Sequence, residues 1–151
     1  DSFFYLSGIT LSILSDPAQE TLWILLQGLR KRGVHVCFDG NFRPAGWESV
    51  RSAQEAFNNT LVHVDIALPT FDDETMVFAD KTPEETVLRL KQMCVEEVVV
   101  KLGAEGCYVA RGDVSAWIPT QTQPAVVDTT AAGDAFNAAY LAARIRGLDP
   151  I

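Results

Sequence analysis

A three-layer, Rossmann-like α/β fold, with a mostly parallel sheet and helices on both faces, is predicted by three observations. Short apolar strands alternate with helices three times along the chain. The strands read as continuous runs such as Val98-Val99-Val100, the pattern of a parallel sheet covered on both sides. The unusual polar residues stand just after these strands, where the carboxyl ends of a parallel sheet gather ligands.

Each element has its own signal. Phe3 to Leu6 is an aromatic and apolar strand that meets Ser7-Gly8, read as a loop. Asp16-Pro17 supplies an N-cap and a proline at the first helical position, and the helix runs over Leu-rich sequence to Arg32. Gly33 stops it. Val34 to Phe38 is the second strand, Trp47 to Asn58 a helix, and Asp65 to Leu68 a third strand cut by Pro69. Thr82-Pro83-Glu84-Glu85 is a capping box that opens a helix to about Met93. After the fourth strand at Val98–Val100, Cys107–Ala110 and Ser115–Ile118 form a hairpin around Gly112-Asp113. Asp134 to Arg146 is the last helix; five alanines among its thirteen residues make it apolar nearly all round, and it is expected to be buried.

With 151 residues the chain makes one domain and can bury roughly 70% of its unfolded surface. A composition 48% hydrophobic and 21% charged excludes intrinsic disorder. The formal net charge of -8 argues against nucleic acid and anionic membranes as partners. No apolar run approaches the roughly 18 residues of a membrane span, and no basic segment precedes the first apolar run as in a signal peptide. Cys37, Cys94 and Cys107 lack zinc spacing; Cys37 and Cys107 sit in apolar runs and read as buried thiols. The odd count predicts a reducing, cytoplasmic setting. The chain begins at Asp1 and closes on Gly147-Leu148-Asp149-Pro150-Ile151, a helix stop followed by a cut, so a partial domain is expected.

Four clusters carry candidate chemistry. Asp128-Thr129-Thr130-Ala131-Ala132-Gly133-Asp134 leads into the last helix. Small residues there let a ligand approach the backbone, and the free N–H groups and dipole of a helix start favour an anion such as phosphate. Asp134 either caps that helix or accepts a proton from an attacking hydroxyl; Asp128 reads as a brace for the loop. Lys101-Leu102-Gly103-Ala104-Glu105-Gly106 is either a turn that a nucleotide can approach or an ordinary entry to the hairpin. It matches neither the Walker nor the dinucleotide glycine pattern, which removes support from those classes. In Asp39-Gly40-Asn41-Phe42-Arg43-Pro44, Arg43 either grips a carboxylate or phosphate or is a surface arginine. Asp72-Asp73-Glu74 either organises a hydrated Mg²⁺ or forms the acidic first turn of a helix.

The order of these clusters is more specific than any one of them. Asp128-Thr-Thr-Ala-Ala-Gly-Asp134-Ala-Phe136 resembles the C-terminal signature of the ribokinase-like (PfkB) carbohydrate kinases, D-T-T/N-G-A-G-D-x-F, with the K-x-G-x-x-G turn and the D-x-N strand end upstream in the family's order. Ser7-Gly8-Ile9-Thr10, Asp39-x-Asn41-Phe42-Arg43-Pro44 with Trp47, and Thr129 to Asp134 are most similar to the 2-keto-3-deoxygluconate kinase branch. The resemblance spans essentially the whole chain but only the middle and late part of a family member.

That resemblance implies ATP-dependent phosphorylation of a sugar-acid hydroxyl, with Mg²⁺ on the nucleotide phosphates. Asp134 is then the catalytic base, and Ala131, Ala132 and Gly133 form the anion hole. Lys101, Gly103 and Gly106 line the nucleotide, with Asn41 near its phosphates. Arg43 binds the substrate carboxylate, and Ile9 touches the substrate through its backbone. The family's metal-linked N-x-x-E stands here as Thr70-x-x-Asp73, with Asp73 the carboxylate in place. Ala131 replaces the commoner glycine, an exchange that suits a negative φ. The implied partners are a sugar acid and ATP, with room for a homo-oligomer in the full-length parent. The isolated piece is expected to be inactive. Two alternatives accompany this reading: the same fold acting on fructose, ribose or a nucleoside, and a catalytically silent nucleotide-binding fragment.

Overall fold

The computed structural model describes residues 2–121, 129 and 131–151. A six-stranded sheet runs through them in sequence order. Strands β1 (Ser2–Ser7), β2 (Val34–Asp39), β3 (Ile66–Ala67) and β4 (Glu97–Lys101) are parallel; β5 (Cys107–Arg111) and β6 (Val114–Ile118) complete the sheet antiparallel. The mostly parallel α/β fold read from the sequence is therefore the observed one.

Strand alternation divides the core between two faces. Val36, Phe38, Val98 and Val100 pack against α1 (Gly8–Ile13), α2 (Asp16–Lys31), α3 (Val50–Leu61), α4 (Phe71–Phe78) and α5 (Pro83–Gln92). Cys37, Ile66, Val99 and Val109 face the other way, toward α6 (Ala132–Ile145), which contributes Phe136, Tyr140 and Leu141. Cys37 and Cys107 are buried free thiols, as expected, and burial pushes the Cys37 thiol up to about 12.

Several local expectations need correcting. The segment after β1 is a helix, not a loop. Gly8 makes this sharp entry feasible, because a Cβ there would lie 1.9 Å from the Gly40 carbonyl oxygen. Ser15, not Asp16, is the N-cap of α2, and Asp16 occupies its acidic first turn. α3 starts later than Trp47, because Ser49 and Ser52 form the reciprocal capping box and Pro44–Gly46 forms a 3-10 turn before it. At α5, Thr82 accepts from the Glu85 N–H, while the Glu85 carboxylate takes the Lys81 N–H, so the box is displaced by one residue. Asp72, Asp73 and Glu74 form the first turn of α4. Helix α6 is not the buried helix its alanines predict. Among its described residues only Asn137 is fully buried, because the side of α6 away from the sheet has no covering layer among the described residues.

Candidate active site

The carboxyl ends of the parallel strands converge. Ser7 pairs with Asp39 across β1 and β2, and Thr70, just past β3, bridges to Lys101 at the end of β4. Asp39 and Lys101 both point toward α6, since they continue the Cys37 and Val99 side of their strands. A cleft of about 230 Å³ opens between these ends and the start of α6. Its sheet side is lined by Asp39, Asn41, Arg43, Thr70, Asp73 and Lys101, and its helix side by Thr129 and Ala131 to Asp134. A larger hollow of about 580 Å³ lies at the amino ends of the strands, beside Arg30 and His63. The smaller cleft is singled out by its chemistry and by its place at the strand carboxyl ends.

A polar network forms the floor. Lys101 Nζ lies 2.9 Å from Asp39 Oδ2 and donates to Asn137 Oδ1 at 3.2 Å. Asn137 Nδ2 donates to Asp39 Oδ2 at 2.7 Å and to Tyr5 Oη at 3.2 Å. The other oxygen of Asp39 accepts from the Asn41 N–H at 3.2 Å. Lys101 and Asp39 are 7% and 3% exposed, so both charges depend on each other for solvation. The ammonium also sits 3.8 Å from where a Cβ on Gly133 would stand, placing positive charge directly behind the turn at the start of α6.

Asp73 supports the next loop. Its Oδ2 accepts from the Phe42 N–H at 3.0 Å, which fixes the segment between Asn41 and Arg43. Burial raises the Asp73 pKa above the ordinary carboxylate value; the Phe42 N–H and the Arg43 charge act against that rise. The Tyr5 hydroxyl is likewise raised, by burial first and then by the charge of Asp39, with a smaller contribution from Asp134. Asn41 adopts φ 36, a left-handed conformation that asparagine tolerates, and turns the chain toward Arg43.

The start of α6 differs from expectation in two ways. Ala131 has φ 58, not a negative value; this left-handed alanine is strained by roughly 1 kcal/mol relative to glycine. Such strain gathers where a particular backbone geometry is needed. The Ala132 N–H bonds to the Thr129 carbonyl at 3.1 Å, so it closes the turn and is not free for an anion. The N–H groups of Gly133 and Asp134 meet no acceptor among the described residues. Asp128 and Thr130 of the motif lie outside the described residues.

The structure thus brings Asn41, Arg43, Asp73, Lys101, Ala131, Ala132, Gly133 and Asp134 to one cleft. Gly103, Gly106 and Ile9 do not line it. Gly106 has φ 104, and a Cβ there would lie 2.0 Å from the Ile118 carbonyl oxygen, so it lets β5 and β6 close. Ile9 is 42% exposed on α1. Thr70, which stands in the motif position read from the sequence, lines the cleft, whereas sequence reasoning missed Asn137 and Tyr5. Asn137 carried a usable signal, a lone amide among alanines three residues after Asp134. Tyr5 carried none. No group of three or more His, Cys, Asp or Glu side chains among the described residues is arranged to cage a metal ion.

Residues 1–150 match the profile of the pfkB family carbohydrate kinases. The chain belongs to this family. Among pfkB relatives, the 2-dehydro-3-deoxygluconokinase of Escherichia coli is 42% identical over 148 residues, 96% of this chain and 48% of the relative. The ATP-dependent 6-phosphofructokinase of Thermoanaerobacterium thermosaccharolyticum is 32% identical over 135 residues, covering 89% of this chain and 42% of the relative. A PfkB protein from Polaromonas superposes with a TM-score of 0.87 at 26% identity, over 97% of this chain and 47% of that structure. The chain spans about half the length of the curated relatives it matches. As a pfkB chain it carries the ribokinase-like fold, and no helix among the described residues is long and apolar enough to cross a membrane.

Proposed function

We propose that this chain supplies the phosphoryl-transfer half of an ATP-dependent sugar-acid kinase, acting on 2-keto-3-deoxygluconate to give its 6-phosphate. The reading is supported chiefly by one observation: Asp134, the start of α6 and Arg43 share a single cleft over a buried lysine. The deoxygluconokinase name belongs to the relative at 42% identity, and ATP dependence to the name of the phosphofructokinase relative.

Phosphoryl transfer asks mainly for positioning and charge stabilisation. In this reading Asp134 takes the proton of the sugar hydroxyl as its oxygen bonds to the γ-phosphorus, and the bond to the ADP oxygen breaks. The Gly133 and Asp134 N–H groups, the α6 dipole and the Lys101 ammonium stabilise the charge on the transferring group. Ala131 and Ala132 shape that turn. Arg43 pairs with the sugar carboxylate, and the backbone at Ile9 borders the substrate. Asn41 approaches the nucleotide phosphates, and the Lys101–Gly106 turn borders the nucleotide.

Mg²⁺ would ride on the nucleotide phosphates, where it keeps most of its waters and needs one or two carboxylates. The donor set fits that arrangement: with Asp134 assigned to the hydroxyl, Asp73 keeps an oxygen outside its Phe42 bond, whereas Asp39 is taken up by Lys101, Asn137 and Asn41. The working compartment in this reading is the cytoplasm, and a homo-oligomer is compatible with it.

The test is an ATP-coupled assay of the longer protein that contains this chain, offered ketodeoxygluconate, fructose, ribose and a nucleoside. The account predicts preferred turnover of the sugar acid, with the phosphate on its 6-hydroxyl. Preference for a neutral sugar would overturn the substrate, and turnover of none would support the catalytically silent alternative.

A further inference from the structure

We propose that Asn137 is the positioning residue that aims Asp134 at the acceptor hydroxyl; the inference rests on the kinase reading above. Three observations carry it. First, among the described residues no side chain caps the start of α6. Helix N-termini are ordinarily held by a Ser, Thr, Asp or Asn whose side chain accepts an amide N–H, but here the N-cap is Ala131, left-handed at φ 58. The described polar contacts that tie this end of α6 to the sheet run through Asn137.

Second, the far end of α6 is anchored separately. Glu97 accepts from Tyr140 Oη at 2.7 Å and from Arg144 Nε at 3.0 Å. Arg144 is seven residues beyond Asn137, roughly 10 Å along the helix axis. Tyr140, the nearer of the two, is three residues beyond Asn137, about 4.5 Å along the axis, so both holds on Glu97 lie past Asn137, on the side away from Asp134. Phe136 packs on the sheet, but apolar packing is not directional.

Third, Asn137 is the fully buried residue of α6, and its amide is bonded on both sides. Nδ2 serves Asp39 and Tyr5, and Oδ1 takes Lys101. One side chain thereby ties α6 to β1, β2 and β4. Residues three apart lie on one helix face, so fixing Asn137 fixes the direction in which Asp134 leaves the preceding turn. Asp39 extends the hold to Asn41, so the catalytic helix and the loop bearing Arg43 meet at one carboxylate. Asn137 has no place at the reacting atoms; it acts through Asp134.

The experiment is a double-mutant cycle in the longer protein, measuring kcat and both KM values for Asn137→Ala, Asp134→Asn and the pair. A displacement of the base by an ångström lowers kcat about 10- to 100-fold, and both KM values should stay within about threefold, because neither ligand touches Asn137. In the Asp134→Asn background the same change should cost less than about threefold, since there is no base left to aim. Tyr5→Phe, which removes one hydroxyl from a half-exposed side chain, runs the same cycle if Asn137→Ala does not fold. Its expected kcat loss is about two- to fivefold in the wild type, and it should vanish beside Asp134→Asn. Equal losses in both backgrounds would overturn the proposal and leave Asn137 a structural residue, as would raised KM values at unchanged kcat. Near-normal turnover of Asp134→Asn alone would overturn the base reading itself, and the proposal with it.

Discussion

Two buried ionic clusters flank the end of β2, and they are built for different ends. In one, Lys101 joins Asp39 and Asn137 across three elements of the sheet and α6, and its upper side opens on the cleft. In the other, Arg89 of α5 pairs with Glu74 of α4 and with Asp80 at 2.8 Å, stacks 3.8 Å above the Phe78 ring, and lies among the helices, away from the cleft, with its side chain 22% exposed. Thr86 donates to Asp80 in the same cluster, at 2.8 Å. No residue of this second cluster lines the cleft. Burial raises Glu74 to about 7, although Arg89 opposes the rise. Burying a pair is seldom a gain over apolar packing, so the proposed function gives the buried lysine beneath the start of α6 a reason that stability does not supply.

That contrast can be broken by removing each cation. Lys101→Met and Arg89→Met should each destabilise the protein by about 3–5 kcal/mol, measured by urea unfolding, because each strands buried carboxylates. Only Lys101→Met should also weaken ATP binding and turnover of the folded protein. Equal functional loss in Arg89→Met would dissolve the distinction. Arg43→Ala comes next: it removes a charge-assisted contact worth about 1.5–3 kcal/mol, so KM for sugar acids should rise about tenfold or more, with neutral sugars unaffected. An equal rise for neutral sugars would contradict the carboxylate role.

The Arg89 cluster also sets a pH dependence. A carboxyl whose folded pKa is raised binds its proton more tightly folded than unfolded. Stability therefore falls as pH rises from the ordinary carboxylate value of 4.5 to about 7, and levels off above. Asp73, raised in the same direction, adds to this slope. Glu74→Gln should flatten thermal midpoints measured across that window; an unchanged slope would assign it to other groups. The smallest effect is expected at Ala131. Exchange for glycine relieves the left-handed strain, and the protein should gain up to about 1 kcal/mol in chemical unfolding. A loss would mean that the methyl group packs usefully.

Much of this was legible in the sequence, for local reasons. The Val98–Val100 strand, the Gly33 stop, the Gly112-Asp113 hairpin turn and the Thr82 cap are set by residues near in sequence, and each lies where the local signals place it. The short α1 was not legible, because it depends on Gly8 meeting the Gly40 carbonyl 32 residues away. The exposure of α6 was hidden for a similar reason: an alanine-rich helix reads as buried, but burial depends on what packs against it. At the site, Asp134, Arg43 and Lys101 stood out through motif order. Tyr5 and Asn137 did not, since their roles arise from contacts 132 residues apart. The φ of Ala131 could not be read from residue type, because alanine ordinarily avoids that region.

The most direct test of the central claim is kcat of Asp134→Asn in the longer protein, with folding checked by its unfolding midpoint. A base at the start of α6 predicts a fall of about 10²–10⁴ in kcat with little change in either KM or in stability. Turnover close to that of the unaltered protein would contradict the account.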